Sequence, residues 1–378
     1  MPSGVFPRWA RRAAIGPSPT IAGRRARRLL VLASVGFSLA SARLAQAGRY
    51  DPALLNLCTP HTPGSGTLAG DVSECSWVTR DAQGNTTIKL DPDAASRYRS
   101  LMSELGVVMA PQLNTPADTL GFGGFQFSVE VSATQISRDK AFWNGVAGVD
   151  PANPQAWRPS STLTTVGGYV RKGLWFPVPG LEWGVGAMNL VGSSLWSLQG
   201  YAKLALLEGF NAWALPSLAV RGSIAEVVGS SQVDMTIGGL DVLLSKPISL
   251  AGTARLELFA GWNLLFIQAR SGVIDATPGC DAYALRLVSD PAQTPAHCSP
   301  AQAGTWKDLD ASFSFPKQDL ILRHRLFGGF KIKLSTLFLV GQYAFTTPGT
   351  SRDERDPTGP RDQSGRQQSF SLAGGLDF

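Results

Sequence analysis

From Leu120 to the C-terminal Phe378, apolar and polar side chains alternate at every second position, and this period of two constrains the fold more than any other feature of the chain. Phe125, Phe127, Val129 and Val131 alternate with Gln126, Ser128, Glu130 and Ser132. Leu256, Leu258, Ala260, Trp262, Leu264 and Phe266 share one parity, and Leu320, Leu322, Leu326, Phe330, Ile332 and Leu334 share another, opposite Arg323, Arg325, Lys331 and Lys333. Successive residues of a strand point to opposite faces, so each segment is a ribbon with one apolar and one polar side. Ten such segments are predicted, at 120–136, 161–175, 181–191, 195–208, 214–227, 232–245, 253–269, 318–333, 336–347 and 367–378.

Strands of about 10 residues with alternating faces, cut by turn residues, are what a membrane-spanning barrel requires. Lipid cannot satisfy backbone polar groups, so a sheet in a bilayer must close on itself. The longest connections, 137–160, 270–317 and 348–366, follow segments one, seven and nine, and so all emerge at the same end. Short links such as Phe176–Gly180 and Lys333–Thr336 occupy the other end. Residues 183–202 carry no charge and are long enough for a membrane helix, but Gly192-Ser193-Ser194 sits mid-way as a turn and favours two strands. A soluble β-sandwich would have to expose the apolar parity of many successive strands to water. The expected fold is therefore all-β, an antiparallel transmembrane β-barrel of about 10 strands (8–14 allowed) over 119–378, with a small helix-containing N-terminal extension.

The formal charge of +6 suggests a basic protein, but residues 1–47 hold eight arginines and no acid; without them the remainder is −2. A nucleic-acid partner thereby loses its electrostatic footprint. Arg24–Arg28, the apolar run Leu29–Ala42 and Ala45-Gln46-Ala47 form the three parts of a secretory signal peptide, which predicts export and cleavage after Ala47. The run is too short for a membrane anchor. Cys58, Cys75, Cys280 and Cys298 suit an oxidising destination; pairing of neighbours, 58 with 75 and 280 with 298, is the simplest of three possible connectivities.

Residues 48–118 are polar and irregular and read either as a periplasmic extension or as a plug at a barrel mouth. A helix is predicted over 92–105, with Asp91 as cap, Pro92 at its first position, Gly106 past its end, and Tyr98, Leu101, Met102 and Leu105 on one apolar face. Residues 77–90 suggest a small hairpin.

No catalytic, phosphate-binding or calcium-binding motif occurs, so no cofactor, metal ligand or catalytic residue is assigned. His324, on the parity of Leu322 and Leu326, is expected to face lipid. The inward parity supplies the candidate lumen-lining residues Glu130, Lys203, Arg221, Asp234, Glu257, Arg323, Arg325, Lys331 and Lys333. Buried charges must be paired or hydrated, which predicts an interior laced by ion pairs, Glu257 with Lys331 among them. The other reading leaves Arg323 and Arg325 unpaired along a narrow passage favouring anions. An eight-stranded barrel is just filled by its side chains, and the open channels of porins need 16–18 strands.

The final strand, Phe370-Ser371-Leu372-Ala373-Gly374-Gly375-Leu376-Asp377-Phe378, ends in phenylalanine with apolar residues at every second position. It resembles the C-terminal signal that bacterial outer-membrane β-barrel proteins present to their insertion machinery, with Leu376 where an aromatic is common. The resemblance implies an outer-membrane address, outer-membrane lipids and that machinery as partners, and Phe370, Leu372, Leu376 and Phe378 as the residues read. It implies a structural or interaction role or a narrow passage for small solutes. Two alternatives are a barrel hydrolase acting on lipid or peptide and a hydrophobic-compound channel with an N-terminal plug. The latter resembles the long-chain fatty-acid channel family, although more strands and an Asn-Pro-Ala hatch signature would be expected there.

Overall fold

A computed structural model describes residues 48–58, 76–80, 86–90, 92–112, 114–150, 153–174, 176–208, 215–251, 254–275, 312–349 and 359–378. The leader 1–47 and Cys75, Cys280 and Cys298 lie outside the described residues; Cys58 is buried.

Before the barrel come an antiparallel hairpin, β1 (Ser76–Arg80) and β2 (Thr86–Leu90), and one helix, α1 (Pro92–Met109). Seven strands follow: β3 (Phe125–Gln135), β4 (Thr162–Leu174), β5 (Leu181–Leu190), β6 (Trp196–Leu207), β7 (Ser217–Val228), β8 (Val233–Ala251) and β9 (Ala254–Ser271). A short pair in the next long connection, β10 (Ile274–Asp275) and β11 (Ser312–Phe313), precedes β12 (Ile321–Leu334), β13 (Leu337–Thr346) and β14 (Gln367–Asp377). The ten long strands form one closed antiparallel barrel in chain order, sealed where β14 pairs with β3. The charge-free stretch 183–202 is two strands, β5 and β6, around the turn at Gly192, whose φ of 81° suits glycine.

The alternation predicted from sequence is a physical alternation here. On β3 the burial pattern is exposed at Phe125, Phe127, Val129 and Val131 and buried at Gln126, Ser128, Glu130 and Ser132. Among the outward residues of the ten strands, charge occurs only near the rims: Lys172 and Lys246 at the short-turn rim, and Glu226, Asp234 and Arg270 at the long-loop rim. Between the rims the exterior is apolar or small, a surface matched to hydrocarbon rather than to water. His324 lies on this exterior, stacked on Trp262 at 5.8 Å.

Several sequence expectations are corrected. β3 starts at Phe125 rather than 120, because Gly121–Gly124 forms a tight turn closed by Gly124 N–H donating to Gly121 O, with φ of 72° at Gly121 and 79° at Gly123. α1 does not stop at 105. It runs through Gly106 to Met109 and ends before Pro111, which cannot continue a helix. Gly106 serves close packing instead, since a Cβ there would lie 2.7 Å from Ile267 Cδ1. Asp234 does not face the lumen; it is exposed between buried Val233 and Met235. The assumed rule of polar inside and apolar outside reverses at the long-loop end, because the interior there is apolar. Trp143, in the loop after β3, is buried at 1% exposure.

Candidate functional site

The lumen is occupied by the chain's own residues 92–120. α1 fills its long-loop third, and the described residues of 110–120 lead from there to the short-turn rim, where β3 begins.

α1 is buried on every side, as a helix surrounded by protein must be. Its apolar face, Tyr98, Leu101, Met102 and Leu105, is 0–3% exposed. It belongs to one core cluster with inward residues from the strand ends, including Leu163, Val227, Met235, Ile237, Leu265 and Ile267. Tyr98 stacks on Phe315 with ring centroids 4.7 Å apart, and burial, reinforced by Asp234, pushes its hydroxyl above the usual range. Burial lowers the Arg99 guanidinium, opposed by Asp362 and Asp319. A second stripe at i, i+4, i+7 is hydroxylic. Ser96 accepts from Arg361 N (3.0 Å), Ser100 from Gln363 N (2.8 Å), and Ser103 bonds Ser364 (3.1 Å). Glu104 is fully buried and accepts from Ser137 N, Trp143 Nε1 and Gly365 N at 2.8–2.9 Å. One helix thus ties the loops after β3 and β13 together.

Below the helix the wall reads mostly the backbone of the threaded segment. Met109 O accepts from Ser197 Oγ (3.0 Å), Pro111 O from Arg325 Nη2 (2.8 Å) and Gln112 O from Gln342 Nε2 (3.1 Å). Midway, Asn114 donates to Glu130 Oε2 (3.1 Å) and accepts from Ser371 Oγ (2.7 Å), while Thr115 accepts from Arg221 Nη1 (2.7 Å). Lys203 Nζ holds both Pro116 O (3.1 Å) and Asp118 O (2.8 Å). At the exit Thr119 donates to Glu208, and Leu120 N to Glu182 Oε2 (3.1 Å). A ten-stranded barrel is slightly wider than one filled by its own side chains, and the space left over holds one polypeptide strand.

Ion pairs brace the wall around this strand. Arg171 meets Glu130 at 2.6 Å, Lys203 meets Glu182 at 3.2 Å, and Arg221 meets Asp241 at 3.0 Å, all buried. Arg171 lies over the Tyr169 ring and Arg221 over the Tyr201 ring, at 5.2 and 5.8 Å from the centroids. Both tyrosines lie flat against the wall because β5 offers glycine beneath them. A Cβ at Gly184 would lie 2.4 Å from Tyr201, and one at Gly186 would lie 2.6 Å from Tyr169.

Of the sequence-predicted set, Glu130, Lys203, Arg221, Glu257, Arg323, Arg325 and Lys331 are buried inward, and Lys333 reaches Asp377 at 2.9 Å from the rim. The expected Glu257–Lys331 pair does not form, although the two are register partners. Lys331 instead reaches across β13 to Asp377 (3.0 Å), passing over the Phe338 ring, and Glu257 is bound by Ser245 (2.9 Å) and Arg255 (3.6 Å). Arg323 is not exposed to a passage. It donates to Thr347 O, Ser103, Ser364, Gly365 O and Gln367, all uncharged, at 2.7–3.2 Å. Sequence reasoning missed Arg171, Glu182, Asp241 and Asp377, which sit on the same parity as the residues it named and complete their pairs. It also missed the serine stripe, visible in retrospect as Ser96, Ser100 and Ser103 at helical spacing. Phe370, Leu372, Leu376 and Phe378 all point outward, 38–64% exposed.

At the short-turn mouth a cavity of about 590 Å³ remains beside the exit of the threaded segment, lined by Asp118, Lys203, Glu257, Lys331 and Asp377 among others. Among the described residues, no cluster of three or more His, Cys, Asp or Glu side chains is arranged to hold a metal, and His324 is the one histidine.

No known family model matches the chain, and no curated protein sequence resembles it. Solved structures that the chain resembles include the attachment invasion locus protein Ail of Yersinia pestis (8% identity, 68% of this chain, 99% of that chain, TM-score 0.23). Neisserial surface protein A is another (8% identity, 68% of this chain, 97% of that chain, TM-score 0.24). The transport unit of the autotransporter AIDA-I from Escherichia coli is a third (9% identity, 74% of this chain, all of that chain, TM-score 0.28). The fold is a transmembrane β-barrel. That conclusion rests on the closed sheet and on an exterior that carries no charge between its rims.

Proposed function

We propose that the protein is exported to the bacterial outer membrane, keeps its lumen sealed with its own chain, and presents its N-terminal extension and long loops at the cell surface as an interaction platform. The observation that carries this reading is the crossing of the lumen by residues 110–120. In outer-membrane barrels the short turns face the periplasm and the long loops face outward. With that orientation, residues 48–58 and α1 lie on the outer side although β3 begins on the inner side. Asp51 supports this placement of the extension, accepting from Ser193 Oγ (2.5 Å) and Ser194 N (2.7 Å) of the β5–β6 turn. A passage for small or apolar solutes would need a continuous lumen. The outward stripe of β14, Phe370 to Phe378, is the part of this reading addressed to the insertion machinery, with outer-membrane lipid as the surrounding partner.

The test is topological. An epitope inserted after Gly64 is expected to bind antibody on intact cells, and the purified full-length protein to give no current steps in a planar bilayer. An epitope reached only after the outer membrane is permeabilised would overturn the reading.

Export predicts a second observable. Cleavage after Ala47 leaves the α-amino group of Gly48, whose nitrogen lies 2.6 Å from Asp51 Oδ2 in a part-buried site. Mass spectrometry of the mature protein is expected to find Gly48 first. Asp51→Asn, which weakens a hydrogen bond to a charged group, is expected to lower stability by about 1.5–3 kcal/mol in denaturant titration.

A further inference from the structure

The charges of the lumen wall are not all paired. Three wall pairs, Arg171–Glu130, Lys203–Glu182 and Arg221–Asp241, cancel internally. Arg323 and Arg325 do not. Among the described residues neither has a carboxylate within 4.0 Å, and each is at most 2% exposed. Arg325 is tied to the threaded segment by one bond, to Pro111 O, and its Nε and Nη1 have no partner. Arg323 donates to Ser103 of α1. Both cations therefore lean on the segment that fills the lumen, one at the foot of the helix and one beside its middle. Withdrawal of that segment takes Pro111 O from Arg325 and Ser103 from Arg323, which keeps Thr347 O, Ser364, Gly365 O and Gln367, and leaves two guanidinium groups with no ion-pair partner among the described residues on one side of the bore. The space vacated is set by what it held: an α-helix of about 10 Å diameter in the outer third and a single chain segment below.

We infer that the barrel is a latent anion-selective conduit, closed by residues 92–120 and given its selectivity by Arg323 and Arg325. Fixed cations along a narrow low-dielectric bore attract anions and repel cations, as basic rings do in pores. The inference rests on the reading of the native lumen as sealed.

The helix can be unseated in the full-length chain at either of two places. Gly106→Leu drives a side chain into Ile267, whose Cδ1, Cγ2 and Cγ1 would lie 2.7–3.0 Å from a Cβ at that position. Glu104→Ala removes the acceptor of three loop and tryptophan donors. Each variant would be purified folded, as judged by heat-modifiable gel mobility, and its α1 tested for protease accessibility. Single-channel current would then be recorded under a KCl gradient. Wild type is expected to be silent. Either opened variant is expected to conduct in steps, with chloride permeating several-fold better than potassium. Arg323→Glu with Arg325→Glu in that background is expected to reverse the preference. If one variant fails to fold, the other carries the test. Folded chains with accessible α1 that stay silent, or that prefer potassium with both arginines present, would overturn the conduit. Anion-selective steps from wild type itself would instead overturn the sealed reading.

Discussion

Replacing Arg171 with alanine is expected to lower the stability of the barrel by about 3–5 kcal/mol, the usual cost of removing one partner of a buried ion pair. The Arg171 side chain is 0% exposed, and that of Glu130, 2.6 Å away, is 7% exposed. Truncation leaves the Glu130 carboxylate without its counter-charge in the middle of the lumen. The loss spreads to the threaded segment, because the same carboxylate accepts from Asn114. Replacing both partners with apolar residues, Arg171→Met with Glu130→Leu, is expected to recover most of the loss, since no isolated charge then remains. Urea unfolding in detergent, followed by tryptophan fluorescence, measures both effects. A single-variant loss below about 1 kcal/mol, or a double variant no better than the single, would show that this pair does not brace the wall.

Gly375→Val is expected to prevent barrel closure altogether. Gly375 sits on the seam where β14 meets β3, opposite Ser128. A Cβ there would lie 1.9 Å from Phe127 O and 2.8 Å from Ser128 Cα, backbone atoms with no rotamer to retreat into. If the seam parts, a row of N–H and C=O groups faces hydrocarbon, and each unsatisfied group costs several kcal/mol. The neighbouring glycine supplies the control. A Cβ at Gly374 meets only ordinary contacts, Phe338 O at 3.6 Å and Leu339 Cδ1 at 3.8 Å, and points outward. Gly374→Val should therefore migrate as a compact species in unheated gel samples, while Gly375→Val migrates as unfolded chain whether heated or not. Equal folding of the two variants would refute the steric argument.

Much of the barrel was legible because its governing rule is local. The ten segments read from alternation overlap all ten strands, with the largest departures where a strand runs past its alternating stretch, as β8 does to Ala251, or begins after a turn, as β3 does at Phe125. The errors come from contacts that only the tertiary structure makes. Parity places Asp234 in the lumen on the rule of polar residues inside, but the inside is apolar at that level because α1 lies there. Glycine commonly follows a helix, so the sequence ends this one at 105, whereas Gly106 lies within it and makes room for Ile267. Parity pairs Lys331 with its register neighbour Glu257, but a lysine has the reach to find Asp377 two strands away.

Amino-acid order alone determined that the chain makes amphipathic strands, how many there are, and which end carries the long loops, since these follow from side-chain parity and turn chemistry over a few residues. Only the tertiary structure decided that the polar stretch 110–120 would run through the middle of the ring those strands form. Nothing local in Pro111 to Leu120 encodes that location. It comes from backbone carbonyls meeting Lys203, Arg325 and Gln342, groups that closure alone brings to face one another.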